Sequence, residues 1–259
     1  MIKLYHKLFS AIAFFSRLPV PPNIEFKFAG NGDAVVLLPV VGLVLSLIGS
    51  FLYSVMILYL PEILAIIFTL SLMILISGAI HEDGLADFFD GFGGGWEKKQ
   101  ILSIMTDSSI GTYGVLALLI SFLSKIVIFN LLDSSLFIVT LILTSVISRG
   151  FAVSLMFDMD YVKKNEKSKA KGMTKKMSNA ELIFILVFSL ICSTIFNNYY
   201  ILLIFPLLFL FRIYFKKKLM KKIGGYTGDC LGAFQQLSEL VILIAVLIIN
   251  HNSLMLKIF

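Results

Sequence analysis

Residues 64–80 read LAIIFTLSLMILISGAI, and residues 81–95 continue directly as HEDGLADFFDGFGGG. The first stretch approaches the length of about 20 apolar residues that a membrane-spanning helix needs. The second stretch places four carboxylates within nine residues at the end of that span. Like charges gathered beside a membrane are costly unless something neutralises them. This pair of stretches therefore predicts a membrane protein with a charged site at the edge of the bilayer.

The rest of the chain has the composition of a polytopic membrane protein. It is 58% hydrophobic and 15% charged, with a mean hydropathy of +0.95, far from the usual soluble domain. Seven segments approach span length, namely residues 34–58, 62–80, 113–132, 135–157, 181–197, 199–215 and 237–256. We predict an all-α, polytopic integral membrane helical bundle of about seven transmembrane helices, forming a single domain over residues 1–259.

Short connections and the first residues complete this predicted fold. The turns YLPE, DSS and NN are so short that they predict three helical hairpins followed by a final single span. The N-terminal apolar stretch is short, lacks a small-residue cleavage pattern and ends at Arg17 and three prolines, so a signal peptide is disfavoured. We expect an amphipathic helix at the membrane interface instead.

Basic residues predict the orientation of the bundle. Of the 22 Lys and Arg residues, 18 lie in four segments, residues 1–33, 81–111, 158–180 and 216–235, and the hairpin turns carry none. Short cytoplasmic loops concentrate Lys and Arg, so these segments are expected on the cytoplasmic face of the cell inner membrane. The positive net charge then indicates contact with the lipid bilayer, and no nucleic-acid-binding module is apparent.

Three Gly-rich polar motifs fall on this same side of the membrane. They are HEDGLADFFDGFGGG, MTDSSIGTYG at 105–114 and GGYTGDCLGAFQQLSE at 224–239. We expect them to form one cytoplasmic site. Between the first two, WEKKQILSIM at 96–105 has the apolar spacing of a short amphipathic helix.

The first motif has the residue types of a metal site. If residues 81–91 continue the preceding helix, Asp83, Asp87 and Asp90 stand at i, i+4 and i+7 on one face. Carboxylate ligands suit Mg²⁺ or Mn²⁺, and Mg²⁺ usually keeps water and substrate phosphate in its shell. The alternative is a solvated acidic helix end. Gly84 and Gly91 could each break the helical face.

Other acids and a histidine extend the candidate site. His81 and Glu82 are each candidates for a general base or for a hydrogen-bond partner of a metal ligand. Asp107 is a candidate ligand, although an Asp before a helix is also a common N-cap. A helix starting near Asp229 aligns it with Gly232, Gln236 and Glu239 on one stripe; helix capping is the structural alternative for Asp229.

Two cations interrupt apolar spans. Lys125 and Arg149 lie inside hydrophobic runs, where charged residues usually face the bundle interior and mark functional sites. Arg149 is near enough to one end of its span to reach anions at the site; the alternative is that its side chain extends to the lipid headgroups. For Lys125, the alternative is an internal ion pair. Carboxylates, glycines and buried cations together fit metal-assisted phosphoryl transfer, with a hydroxyl or water as the attacking group.

The sequence resembles the adenosylcobinamide-GDP ribazoletransferase family, whose members are also called cobalamin 5′-phosphate synthases. The matching pieces occur in the family's order and cover nearly the whole chain: SRLPVP at 16–21, PVVGLVLSLIGS at 39–50, HEDGLADFFDGFGGG, IMTDSSIGTYG, Lys125, SRG at 148–150 and GGYTGDCLGA. The resemblance implies a Mg²⁺-dependent membrane enzyme that joins adenosylcobinamide-GDP to α-ribazole or its 5′-phosphate and releases GMP. A ribazole hydroxyl would attack the phosphorus attached to cobinamide.

The resemblance also implies roles for individual residues. The metal ligands would be Asp83, Asp87, Asp90 and Asp229, and the catalytic residues His81, Asp83, Asp87 and Asp107. The substrate-binding residues would be Lys125, Arg149, Thr227, Gly228 and Glu239. Three positions depart from the family pattern: Glu82 replaces an apolar residue, Ser109 a basic residue and Gln236 an acid.

Two other functions fit parts of the sequence. A CDP-alcohol phosphotransferase uses a related Asp-Gly-x-x-Ala motif, with Arg after the Ala and a longer spacing to its later aspartates. Here Asp87 follows Ala86, and Asp90 comes three residues later. A membrane transporter would use the intramembrane charges to line a pathway, but it often shows paired repeats, and no convincing repeat is present here. A homo-oligomer stays an open alternative for the assembly.

Overall fold

The computed structural model describes residues 2–22, 24, 32–162, 176–196 and 201–256, and in these ranges the chain is helical without a β-strand. A short 3-10 helix, Gly32–Leu37, precedes the second of ten α-helices. The α-helices are α1 (Ile2–Phe15), α2 (Leu38–Met56), α3 (Glu62–Ser77), α4 (Ile80–Gly94), α5 (Lys98–Ile104), α6 (Thr112–Leu131), α7 (Ser134–Asp158), α8 (Asn179–Phe196), α9 (Ile201–Lys222) and α10 (Gly228–Leu256).

Several of these helices are long and apolar enough to cross a membrane. Within the described ranges there are four such helices, or five spans if the bent pair of α3 and α4 counts as one. The four are Ala34–Met56, Thr112–Leu131, Ser134–Asp158 and Gly228–Asn250. The predicted all-α, polytopic membrane bundle is therefore confirmed. Each of the seven predicted segments contains a helix, but the count of seven spans stays a prediction.

The acidic motif does not continue α3; it forms a separate helix, α4. Gly78 and Ala79 both adopt left-handed backbone conformations, with φ of 72° and 54°. Their N–H groups donate to the carbonyls of Leu75 and Ile74, which closes the end of α3 as in common helix C-caps. The following helix α4 leaves at 87° to α3. It therefore packs inside the bundle, against α10 and α6.

Two helices form the centre of the bundle. α7 packs on α2 and α10, and α10 also packs on α4, α6 and α9. The predicted hairpins are partly confirmed, because α2 packs on α3, whereas α6 and α7 have their main contacts with other helices. The turn predicted between the third pair, at residues 197–198, lies outside the described residues.

The N-terminal segment packs over the bend between α3 and α4. In α1, Ala11, Ile12 and Phe15 are buried while Leu4 is exposed, which is the expected amphipathic pattern. The backbone N–H of Arg17 donates to the carbonyl of Ile76 in the last turn of α3. The position of α1 at a membrane interface stays a prediction. The short amphipathic helix predicted after α4 is present as α5, and its Ile101 is fully buried.

Candidate functional site

The site is organised around a close crossing of α4 and α10. A Cβ atom added to Gly84 would lie 2.9 Å from the carbonyl oxygen of Asp229, and one added to Gly232 would lie 3.2 Å from the backbone of His81. Small residues allow helices in a membrane to approach this closely. The crossing brings the first and third polar motifs together, as the sequence predicted.

The acidic face of α4, defined as Asp83, Asp87 and Asp90, keeps the predicted helical spacing. The helix runs without a break through Gly84 and Gly91, so neither glycine interrupts the face. The environments of the three carboxylates differ, because Asp83 is exposed, Asp87 is half-buried and Asp90 is buried. The face therefore passes from solvent at Asp83 into the protein interior at Asp90.

Asp90 joins the first motif to the second one. Its Oδ2 accepts a hydrogen bond from the N–H of Gly111 at 2.7 Å, and its Oδ1 accepts one from Gly114 at 2.9 Å. These N–H groups belong to the start of α6, where an acidic side chain satisfies unpaired donors and complements the helix dipole. Both oxygens of Asp90 therefore have partners within the protein, and its role as a metal ligand stays a prediction.

Asp107 lies at an exposed turn between α5 and α6. Its Oδ1 accepts hydrogen bonds from the backbone N–H and the hydroxyl of Ser109, at 3.0 and 2.7 Å. These hydrogen bonds hold the pKa of the Asp107 carboxyl below its usual value. The contacts explain a structural role in the turn; the catalytic role of Asp107 stays a prediction.

The beginning of α10 is a capped helix N-terminus. Thr227 is fully buried, and its hydroxyl accepts a hydrogen bond from the N–H of Cys230 and donates one to the carboxylate of Asp229. The helix begins at Gly228, one residue before the predicted start. Capping, the structural alternative considered for this motif, is therefore present. The partial positive charge of this N-terminus lies at the crossing with α4.

Deeper in the bundle, the two intramembrane cations share one carboxylate. The Nζ of Lys125 lies 2.5 Å from Oε2 of Glu239, and Nη1 of Arg149 lies 3.5 Å from Oε1 of the same residue. Arg149 is buried, and it also donates to the hydroxyl and the carbonyl of Ser145. Its extension to the lipid headgroups, which was the alternative, is therefore wrong, whereas the internal ion pair considered for Lys125 is present.

Two further residues complete what we call the inner polar cluster: Glu82, Lys125, Arg149, Gln236 and Glu239. The amide of Gln236 donates to Oε1 of Glu82 at 2.9 Å, and its carbonyl oxygen accepts from Lys125 at 2.6 Å. With two carboxylates and two cations, the formal charges of the cluster balance. Lys125 and Arg149 thus have anionic partners within the protein, and their contact with substrate phosphate stays a prediction.

His81 has a different environment from its neighbour Glu82. It is buried, and its ring is parallel to that of Phe15 in α1 with centroids 6.4 Å apart. Its backbone also packs on Gly232. Enclosure by α1 and α10 supports a role of His81 in positioning α4, and its catalytic role stays a prediction.

Some polar residues around this cluster were not found from the sequence. Gln235 donates to Glu239 and to the hydroxyl of Ser148, and Ser145 accepts from Arg149. The available signal was that these residues are polar within apolar spans and lie within one turn of a charged residue.

The carboxylates near the crossing fit Mg²⁺ by their chemistry, but they do not form a complete metal site. In the part of the chain that the structure describes, no group of three His, Cys, Asp or Glu side chains could hold a metal ion. Mg²⁺ is commonly held by one or two carboxylates together with substrate phosphates. Two carboxylates of the acidic face, Asp83 and Asp87, therefore have the chemistry for a cation whose other ligands are phosphate oxygens. The metal-binding role of Asp229 stays a prediction.

These features define the class of the protein: a polytopic helical membrane protein with an internal charged site and an acidic face beside a helix N-terminus. The chain belongs to the family whose model is described as cobalamin-5-phosphate synthase, which matches residues 7–247. It is therefore a transferase. This result favours the first function considered above over a CDP-alcohol phosphotransferase or a transporter.

Named relatives agree with the family match. A protein of Vibrio parahaemolyticus is 37% identical over 243 residues, covering 93% of this chain and 92% of the relative. One of Shewanella amazonensis is 36% identical over 94% of this chain and 95% of the relative, and one of Vibrio cholerae is 34% identical over 95% and 94%. All three are named adenosylcobinamide-GDP ribazoletransferase. No solved structure matches the chain.

Proposed function

We propose that this protein is a Mg²⁺-dependent membrane transferase that joins adenosylcobinamide-GDP to α-ribazole or α-ribazole 5′-phosphate. The products are GMP and adenosylcobalamin or its 5′-phosphate. The observation that carries the proposal is the contact of Gly84 with Asp229, which gathers the acidic face and the N-terminus of α10 in a member of this family.

The reaction is an in-line displacement at phosphorus. A ribose hydroxyl of the ribazole forms a new O–P bond at the phosphorus attached to cobinamide, the bond from that phosphorus to the bridging oxygen breaks, and GMP leaves with that oxygen. The hydroxyl proton passes to a carboxylate on α4. Bound Mg²⁺ would supply neutralisation of the pyrophosphate oxygens.

The residues of the crossing have distinct tasks in this proposal. Asp83 and Asp87 would hold the cation together with substrate phosphate oxygens, and Asp229 lies on the facing helix α10. The N-terminus of α10, beginning at Gly228 and capped by Thr227, favours negative charge on the substrate. Because Asp83 is exposed, the cation and the pyrophosphate can reach it from solvent.

The inner polar cluster holds the helices that carry these groups. Glu239 on α10 pairs with Lys125 on α6 and Arg149 on α7, and Gln236 links α10 to Glu82 on α4. Four helices are thereby connected through charged or polar side chains away from water, where such contacts are strong. We propose that Lys125 and Arg149 act mainly as positioning residues through Glu239.

The location follows from the distribution of basic residues. The lysines at the C-terminal end of α9 and in the segment that follows α7 support placing this end of the bundle in the cytoplasm. The acidic face then opens to the compartment that contains nucleotides. The proposed location is the cytoplasmic membrane, with the motif loops facing the cytoplasm.

The direct test measures GMP release. Purified protein in lipid nanodiscs receives adenosylcobinamide-GDP, Mg²⁺ and either α-ribazole or its 5′-phosphate, and we expect stoichiometric formation of GMP and the cobalamin product. Parallel reactions without the ribazole detect hydrolysis by water. Absence of turnover, together with activity on a CDP-linked lipid, would contradict the proposal.

A further inference from the structure

A groove of about 390 Å³ lies beside the inner polar cluster, in the angle between the α3–α4 bend and α6. Ile74 and Ala79 line it at the bend, and Leu118 and Phe122 line it from α6. At its edge Leu119 is 53% exposed, so the groove borders the apolar outer surface of the bundle. Its volume lies within the range of small-molecule sites.

The two ends of the groove differ in polarity. Its walls are mostly apolar, whereas Glu82, Ser121, Lys125 and Gln236 form one polar end. Apolar walls with a few convergent polar groups are typical of a ligand site. A site of this kind selects a molecule with a flat or bulky apolar part and a hydrogen-bonding part.

Two buried polar atoms at this end lack a partner among the described residues. They are the hydroxyl of Ser121, a residue only 5% exposed, and Oε2 of Glu82. By contrast, Ser50 and Ser54 on α2 satisfy their hydroxyls by donating to the carbonyl four residues earlier. Leaving buried polar atoms unpaired is costly, and an acyl chain in the groove cannot pair them.

We infer that this groove is the binding site for the acceptor nucleoside. The apolar bicyclic base of ribazole lies between the walls formed by α3 and α6, and its ribose hydroxyls reach Ser121 and Glu82 at the polar end. This assignment rests on the proposed function. It places the sugar against Glu82 of α4, the helix that also carries the acidic face.

The test measures binding of α-ribazole by equilibrium dialysis, with the protein in nanodiscs and without the second substrate. Leu118→Trp fills the groove, and Ser121→Ala removes one hydroxyl with little change of volume. The control is Leu123→Trp, which adds the same ring to an exposed position of α6 that does not line the groove. All variants are checked for unchanged thermal unfolding.

We expect Leu118→Trp to weaken α-ribazole binding by tenfold or more, Ser121→Ala by about fivefold, the effect of one hydrogen bond, and Leu123→Trp to leave it unchanged. In the turnover assay the KM for α-ribazole rises in the same order, while the KM for adenosylcobinamide-GDP stays constant. If Leu118→Trp unfolds the protein, the α-ribazole affinity of Ser121→Ala alone tests the assignment of the groove.

Two results overturn the assignment. Unchanged α-ribazole affinity in folded Leu118→Trp and Ser121→Ala would mean that α-ribazole binds outside this groove. An equal rise in the KM values for α-ribazole and adenosylcobinamide-GDP would mean a general disturbance of the site. Because binding is measured without turnover, a wild-type protein that binds α-ribazole through this groove but releases no GMP contradicts the proposed function and leaves the groove assignment standing.

Discussion

Gly84 is in backbone contact with Asp229 where α4 crosses α10, since a Cβ atom at Gly84 would lie 2.9 Å from the Asp229 carbonyl oxygen. The same added atom would lie 3.1 Å from the Asp229 Cα. Both contacts are with backbone, which cannot rotate away as a flexible side chain can. The distance between the acidic face and the N-terminus of α10 is therefore set by the absence of a side chain at residue 84.

The first prediction concerns this contact. Gly84→Ala should separate the two helices by a few tenths of an ångström and displace Asp83 and Asp87 from Asp229. We expect turnover to fall at least tenfold, with a loss of about 1–3 kcal/mol in the free energy of unfolding, typical of overpacking. GMP release and thermal unfolding of the purified variant measure the two effects.

Gly94→Ala is the matched control on the same helix. A Cβ atom there meets only Ile104 Cδ1 at 3.5 Å, an ordinary contact. Alanine also favours a helix over glycine by about 1 kcal/mol, so this variant should keep wild-type activity and stability. Equal behaviour of the two variants would show that the crossing does not control the site.

The second prediction concerns the shared carboxylate of the inner polar cluster. Glu239→Gln leaves Lys125 and Arg149 buried with Glu82 as the remaining acid, whereas Lys125→Met leaves Glu239 still near Arg149. Removing a charge that two buried cations share should cost about 3–5 kcal/mol. We therefore expect Glu239→Gln to lower the melting temperature more than Lys125→Met.

An exposed ion pair provides the comparison for this series. Lys176 and Asp160 lie 3.0 Å apart, with side chains 65% and 76% exposed. Exposed pairs contribute little to stability, so Lys176→Met should leave the melting temperature unchanged. A melting temperature of Glu239→Gln as high as that of Lys176→Met would be inconsistent with a stabilising inner cluster.

Much of the helical architecture and of the candidate site was predictable from the chain. Apolar length located a helix in each predicted segment, and intramembrane charge selected Lys125 and Arg149, which share Glu239 in the structure. The stripe from Asp229 to Glu239 was also predicted, because helical spacing alone determines which residues share a face.

The errors have a common physical origin in local backbone geometry and long-range packing. Glycine adopts the left-handed conformation readily, so the residue type of Gly78 is compatible with the end of a helix. Alanine rarely adopts it, so the sequence did not indicate the conformation of Ala79 or the 87° bend between α3 and α4. The capping role of Asp90 depends on Gly111 and Gly114, which are more than 20 residues away. No periodic pattern encodes such a contact.

The third prediction tests the structural role of Asp90. Asp90→Ala leaves the N–H groups of Gly111 and Gly114 without their acceptor at the start of α6. Loss of a helix cap costs about 0.5–2 kcal/mol, so thermal unfolding should shift to lower temperature. Asp107→Ala removes an exposed carboxylate whose hydrogen bonds, among the described residues, are to Ser109 in its own turn, and it should shift the unfolding far less. Shifts of equal size would contradict the capping role.

The last prediction separates metal binding from folding. Asp83 is exposed, so Asp83→Asn should leave thermal unfolding unchanged, and Asp87→Asn at the half-buried position is measured beside it. Turnover should fall about 100-fold or more, because each substitution removes a negative charge that the cation needs. The exposed acid Glu97, which lies off this face, supplies the control Glu97→Gln, expected to keep full activity.

Chelation tests, without a mutation, whether turnover needs the metal ion while folding does not. EDTA should abolish GMP release by the wild-type protein, added Mg²⁺ should restore it, and the melting temperature should stay constant throughout, because the described carboxylates form no complete metal site on their own. In a Mg²⁺ titration Asp87→Asn should need a higher concentration for half-maximal activity. Near-normal turnover of both Asn variants would contradict the assignment of Asp83 and Asp87 as metal ligands, because the reaction would then not need their negative charges.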